Sequence, residues 1–451
     1  MAKISEESEV SNETVTSLGT GPRQPIKISG NTPPPSVPLA FFQAAFVGLI
    51  GCGVALVLAR GQATLDPTSD PTVAAAHLGM LATLSTGILG AIHQFTPVVT
   101  QRPLRSTGLA RATFFTWVAA AWCLPLGIGF QQEGVVEAGG ILAATAIVLL
   151  IINLWKPLGA KRKGAPVIGL RFAVAGFALT ACFGVVYVFD RQGNWFDLSG
   201  HVVLAHASIG IFAWLGLTYV SVAERLYPMF FLAHLPGKRR AGLLAVSAIP
   251  AGVLLLSPGL LFKLTALAWI GGVVLTMGLA AHLFSMAMHL KYRKRKIDLY
   301  FLFVLTASLS MLAGVVLAAI SALVMTSDHQ RGIMLAAAAV AALGGWILEA
   351  FVGHIHKVIP FVLWSMFRSR GIEKNLAGKQ LMFGDLYDHT IAATVYGLLT
   401  AGIPSVCLGF AISNSLFLLI GGVLFAASGL LLAINLSAKP IRMLRIGARK
   451  A

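Results

Sequence analysis

The chain has 451 residues, of which 57% are hydrophobic and 11% charged, with a mean hydropathy of +0.80 and a formal charge of +17. This composition excludes a water-soluble domain, because apolar runs long enough to cross a bilayer core (about 20 residues each) recur along the chain. The positive charge sits in loops at alternate span ends, the pattern of the positive-inside rule, so no nucleic-acid partner is expected.

Residues 1–37 are rich in Ser, Thr, Glu, Pro and Gly and lack an apolar core, which predicts a disordered cytoplasmic tail. Glu6, Glu7 and Glu9 stand where a signal peptide would carry basic and apolar residues. Few aromatics and no alternating pattern favour helices over a barrel. Twelve spans follow, near 38–60, 72–100, 108–130, 136–157, 166–189, 200–233, 240–257, 262–290, 299–326, 331–366, 391–411 and 413–437. The domain organisation expected is therefore the 1–37 tail, a twelve-helix membrane domain over 38–437, and a basic cytoplasmic tail over 438–451.

Even-numbered spans end in basic runs: Arg102 and Arg105; Lys156, Lys161, Arg162 and Lys163; Lys238 to Arg240; Lys291 to Lys296; Arg368 and Arg370; Lys439 to Lys450. The opposite loops carry Asp66, Asp70, Glu133, Glu137, Asp190, Asp197 and Asp328. Both termini are accordingly expected on the cytoplasmic side of the cell membrane. Cys52, Cys123, Cys182 and Cys407 fall inside apolar spans without CxxC spacing and read as small buried hydrophobes.

One passage recurs three times. It reads HLGMLATLSTGILGAIHQFTPVVTQRPLR from His77, HASIGIFAWLGLTYVSVAERLYPMFFLAH from His206, and GIMLAAAAVAALGGWILEAFVGHIHKVIPFVLWSMFRSR from Gly332. Aligned on Pro97, Pro228 and Pro360, the copies place His93, Glu224 and His356 four residues before the proline, and Gln94, Arg225 and Lys357 three before. The copies fall on spans 2, 6 and 10. That spacing implies three pseudo-symmetric arcs of four helices, with these spans forming an inner ring because their polar residues cannot face lipid cheaply.

Depth follows from helical rise. His77 and His93 lie about 24 Å apart along one helix, and His206 and Glu224 about 27 Å. The polar groups therefore form two layers. The outer layer holds His77 and His206, with His201 a loop turn away. Two imidazoles from neighbouring helices suit the axial positions of a haem or part of a copper site; interfacial histidines also cap helices and contact headgroups, and the two readings stay open. The inner layer holds His93, Glu224, His354 and His356, with Glu349 deeper. Such a set suits a divalent metal or a proton route through Glu224 and Glu349; interfacial snorkelling is the competing account for Arg225 and Lys357. His354 and His356 point about 200° apart, so one helix can serve two adjoining sites. His282 and His289 share one face of span 8 and run into KYRKRK, as expected of a satisfied or solvent-facing pair. His329 and His389 have no partner by spacing, and FGDLYDHT (383–390) is the most polar connector, placed along the inner surface.

The three repeated passages resemble the haem-copper oxidase subunit I-like superfamily, closest to short members allied to the cbb3-type and nitric-oxide-reductase branch and to NnrS-like proteins. The resemblance covers spans 2 to 10 well and the ends weakly. It implies twelve helices in three arcs with haem and copper ligands. His77 matches the helix-2 low-spin haem position, His206 is similar to the helix-6 copper ligand, and His354 and His356 look like the helix-10 His-x-His pair. Span 7, RAGLLAVSAIPAGVLLL, has no histidine pair and span 6 lacks His-Pro-Glu-Val-Tyr, so oxygen reduction at the usual binuclear centre is not expected. The function implied is haem binding, with copper as a further candidate, in respiratory electron transfer or nitric-oxide handling, together with a redox partner or respiratory subunit. The alternative is a cofactor-free transporter, sensor or assembly factor on the same scaffold. A reporter fused after Glu133 is expected to report the non-cytoplasmic side; a cytoplasmic signal there would overturn the orientation.

Overall fold

The computed structural model describes residues 32–161, 164–196, 200–235 and 240–448. Residues 1–31 of the expected tail, and Arg162, Lys163, Asp197, Lys238, Arg239 and Lys450 of the expected charge pattern, lie outside the described residues. Twelve helices are long and apolar enough to cross a membrane, and the protein is an all-α, multi-pass, bilayer-embedded fold. They are α1 (Ser36–Leu65), α2 (Asp70–Thr100), α3 (Thr107–Gly129), α4 (Glu133–Leu158), α5 (Ala165–Gly193), α6 (Gly200–Phe230), α7 (Arg240–Leu261), α8 (Thr265–Lys291), α9 (Leu299–Leu323), α10 (Asp328–Ser369), α11 (His389–Ala411) and α12 (Ser415–Asn435).

Burial separates an inner ring from the rest. The best apolar windows of α2, α6 and α10 are 67, 72 and 67% buried, against 50% or less in every other span. Each inner helix changes its winding midway, from α to an eight-residue π segment and back: Leu78–Ser85, Ile209–Gly216 and Ala341–Leu348. Each segment begins nineteen residues before its repeat's proline, Pro97, Pro228 or Pro360. The internal repeat is therefore one of backbone as well as of residues. A π turn closes its hydrogen bonds five residues back and adds a residue per turn, which rotates everything beyond it relative to an unbroken α-helix. Threonine hydroxyls follow the same register: Thr83 Oγ1 donates to Leu78 O (3.1 Å) and Thr86 Oγ1 to Leu81 O (2.8 Å).

The three π segments meet. Trp214 Nε1 donates to Ser85 Oγ at 2.9 Å, joining α6 to α2. Trp346 of α10 lies against Gly216 of α6, where an added Cβ would stand 2.7 Å from the indole. Phe351 of α10 likewise covers Gly87 of α2. Trp214 also stacks on Phe177 of α5 (3.9 Å between centroids, 8° between planes), and Trp117 of α3 donates to Thr86 Oγ1 at 3.0 Å.

Around this ring the outer helices pair as hairpins, α3 with α4, α7 with α8 and α11 with α12, while α1, α5 and α9 lie against the inner helices of their own arcs. Arcs close on one another through α4 along α5 and α12 along α1. The α1–α12 seam is tight because glycines face backbone: a Cβ at Gly422 would sit 2.7 Å from Gly53 O, and one at Gly429 2.7 Å from Phe46 O. The α8–α9 seam is built differently, wedged by rings from the end of α6: Tyr227 stacks on His282 of α8 (6.1 Å), and Phe231 on Phe301 of α9 (4.4 Å).

At the acidic end Arg191 pairs with Glu133 (2.9 Å) and Asp70 (3.1 Å), tying the end of α5 to the starts of α4 and α2. At the basic end the segment from 438, expected as a tail, folds into α13 (Ala438–Ala448), with Lys439 Nζ donating to Tyr387 O at 3.0 Å. The 383–390 connector is a 3₁₀ turn (Phe383–Leu386) that buries Leu386, and Asp388 then caps α11. The N–H groups of Ile391 and Thr390, with Lys439 nearby, hold the Asp388 carboxyl below its ordinary range. Because that value is depressed, the cap's contribution is present above the ordinary aspartate range and is lost only as pH falls through the lowered value. None of the four cysteines is in a disulfide; Cys52, Cys123 and Cys407 are half-buried and Cys182 is exposed, so the expectation that all four are buried is corrected. Their spans turn part of their surface to lipid.

Gly422→Val should force α12 away from α1 and destabilise the protein by roughly 1–3 kcal/mol, the range for overpacked cores. A detergent-phase thermal unfolding midpoint equal to wild type would show that this seam does not limit stability.

Candidate functional site

A recurring device presents imidazoles along the inner ring. An Nδ1 placed on a helix reaches the carbonyl four residues back, which leaves Nε2 pointing outward. His77 bonds Val73 O (2.8 Å), His93 Leu89 O (2.7 Å), His354 Ala350 O (2.7 Å) and His356 Val352 O (2.8 Å). A backbone acceptor of this kind fixes the tautomer and orientation of a ligating histidine.

The outer layer assembles in part. His77, in the last turn before the first π segment, and His206, three residues before the second, lie within electrostatic range of each other. Both are half-buried. His206 packs against Tyr187 (5.5 Å between centroids), its Cε1 faces Gly184, and its Nδ1 is buried with no hydrogen-bond partner in the protein. His201 is half-buried in the first turn of α6.

The inner layer does not converge. His93 stacks on Phe41 of α1 (5.4 Å, 20°), and His356 stacks on Phe303 of α9 (6.0 Å, 17°). Phe41 and Phe303 belong to the first helices of their arcs, so the repeat extends to the ring that covers each imidazole. In both copies the histidine Nε2 is buried without a hydrogen-bond partner. Glu224, the third equivalent, is 2% exposed and lies over Gly242 of α7, whose missing side chain leaves room for its carboxylate. His93, Glu224 and His356, which share a register in the repeat, thus occupy separate environments, and His201 lies in the other layer. Among the described residues no three His, Cys, Asp or Glu side chains gather as a metal ion would require. Glu349 follows the third π segment, 1% exposed, and accepts a hydrogen bond from Thr400 of α11 at 3.3 Å.

His354 and His356 face different neighbours, as their angular separation predicts. His356 contacts Tyr387 (5.6 Å) as well as Phe303. His354 enters a buried cluster that sequence reasoning missed. Tyr300 of α9 donates to its Nε2 at 3.1 Å, since His354 Nδ1–H is already committed to Ala350 O. Tyr219 and Tyr227 share a 2.6 Å hydroxyl–hydroxyl bond on the adjoining face of α6. His282, expected to be satisfied or facing solvent with His289, is 1% exposed and lies edge-on to Tyr219 at 5.4 Å; His289 is fully buried and donates from Nδ1 to Ser285 O at 2.8 Å. The solvent-facing option for this pair is corrected, because α6 and α9 cover the face of α8 that carries it. The cluster comes from four helices, so only the seven-residue spacing of His282 and His289 was visible in the sequence.

No protein-family model and no curated protein matches the chain.

Tyr300→Phe should leave the buried His354 Nε2 without its donor and cost about 1–3 kcal/mol, the penalty for an orphaned buried acceptor. Unchanged thermal stability would place no weight on this bond. A double-mutant cycle with His354→Phe should recover part of the loss.

Proposed function

We propose that the protein is a haem-binding membrane protein on an oxidase-like scaffold, acting in respiratory electron transfer or nitric-oxide handling in the cell membrane, with its basic face and both termini cytoplasmic. The observation that carries this reading is the buried, uncommitted His206 Nδ1 just before the π segment of α6, with His77 just before the matching π segment of α2. The three-arc architecture, repeated down to its π segments, also supports it.

The donor chemistry fits a haem. His77 has its Nδ1–H on Val73 O and turns Nε2 outward, while His206 retains a ring nitrogen with no protein partner. These two residues would hold the group, and haem would supply one-electron redox chemistry there. The protein's own part is to orient: Val73 O sets the His77 tautomer, and Tyr187 and Gly184 shape the face beside His206. His354 and His356 do not join this site, since they project into the Tyr300 and Phe303 environments. A three-ligand copper site does not fit the residues gathered here, because α7 offers no histidine and no third ligand joins the pair among the described residues. A redox partner or respiratory subunit would complete the electron path.

A second reading has its own support. Glu349 is nearly inaccessible in the interior of α10, and a carboxyl group at such depth is a functional candidate by default. A cofactor-free transporter or sensor would use Glu349, with Glu224, as a polar route.

Protein purified in mild detergent should show a Soret band and bound iron, and His77→Ala and His206→Ala should each abolish or strongly shift that band while the protein stays folded. Absence of both haem absorbance and iron would overturn the first reading. Solute or proton flux lost in Glu349→Gln or Glu224→Gln would then favour the second.

A further inference from the structure

At the basic end of the first arc the chain leaves α2 and turns through residues 101–106 into α3. This turn is pinned rather than loose. Arg105 N–H donates to Asn153 O (3.2 Å) and Ser106 N–H to Asn153 Oδ1 (2.9 Å), Asn153 being fully buried on α4. Ser106 Oγ in turn accepts from the N–H groups of Gly108 and Leu109 at the start of α3. The result is a cavity of about 430 Å³ lined by Arg102, Pro103, Leu104, Arg105 and Lys156.

Three cations thus face one space with no carboxylate among them. The segments that build the site, 101–111 and 153–161, contain no Asp or Glu. Among the described residues Arg102, Arg105 and Lys156 make no ion pair, whereas Arg191, Lys357, Arg368 and Lys439 each have a carboxylate within 4 Å. Asn153 Nδ2, in a side chain with no exposure, also lacks a hydrogen-bond partner, so an unused donor lies beneath the turn. Guanidinium pairs beside an ammonium suit the oxygens of a phosphate.

The surface running away from the cavity is apolar. Trp155, next to Lys156, is 74% exposed, and Ile152 and Val148 continue the same outward face of α4 toward the membrane interior. An exposed tryptophan at a basic helix end is the usual mark of the headgroup level. We propose that this pocket binds the headgroup phosphate of an anionic phospholipid, whose acyl chains lie along Trp155, Ile152 and Val148. The apolar track favours a lipid over a phosphate ion from solution.

The test is native mass spectrometry of the delipidated full chain in detergent, titrated with phosphatidylglycerol, phosphatidylcholine or inorganic phosphate. Phosphatidylglycerol should bind roughly tenfold more tightly than phosphatidylcholine, and the preference should shrink as ionic strength rises. The combined variant Arg102→Gln, Arg105→Gln, Lys156→Gln should lose that preference while keeping the wild-type thermal unfolding midpoint. If the triple variant does not fold, Lys156→Gln alone should reduce the preference about threefold. Equal binding of the two lipids, or an undiminished preference in a folded variant, would overturn the site. Displacement of phosphatidylglycerol by millimolar inorganic phosphate would overturn the lipid as its source.

Discussion

Inside a bilayer no water is available to a stray carbonyl, hydroxyl or imidazole, so a polar group on a spanning helix is costly unless the protein shields or partners it. Here that constraint falls on three helices. α2, α6 and α10 carry Ser85, Thr86, His93, Glu224, Glu349, His354 and His356, and they are the most buried spans. They meet one another directly: the Trp214 indole bonds Ser85, and Trp346 seats on Gly216. The remaining nine spans shield this ring, and their hairpins and glycine seams follow from that task.

The π segments are how the ring accommodates its own side chains. An unbroken α-helix of thirty or more residues would carry the outer histidines and the inner carboxylate around the axis in fixed phase. The wider turn resets that phase at the same register in all three copies, and the hydroxyls of Thr83 and Thr86 occupy carbonyls five residues back. Glycines at this level open room for neighbours: Gly216 for Trp346 of α10, Gly210 for Thr180 of α5 and Gly345 for Ser310 of α9.

The threefold scaffold is used asymmetrically. Two of the three equivalent polar positions became histidines stacked on phenylalanines, and the third became a carboxylate housed above a glycine. The seams between arcs also differ. Glycines close α1 on α12, while rings from α6 wedge α8 from α9 and enclose Tyr219, Tyr227, Tyr300, His282 and His354. This cluster draws its side chains from four helices, α6, α8, α9 and α10.

Hydropathy and charge are local properties, so the sequence by itself determined the twelve spans, their basic and acidic ends, and the repeat that marks the inner ring. The opposed directions of His354 and His356 were also legible, because side chains two residues apart on a helix are turned about 200° from each other. What only the tertiary structure decided is which side chains meet. His93, Glu224 and His356 share a register yet occupy separate environments. His282 and His289, read from their own helix, gave no sign of the cover that α6 and α9 place over them. Those outcomes depend on helix phase, which the π segments reset, and on which neighbour fills each seam; neither is encoded in the spacing along a single helix.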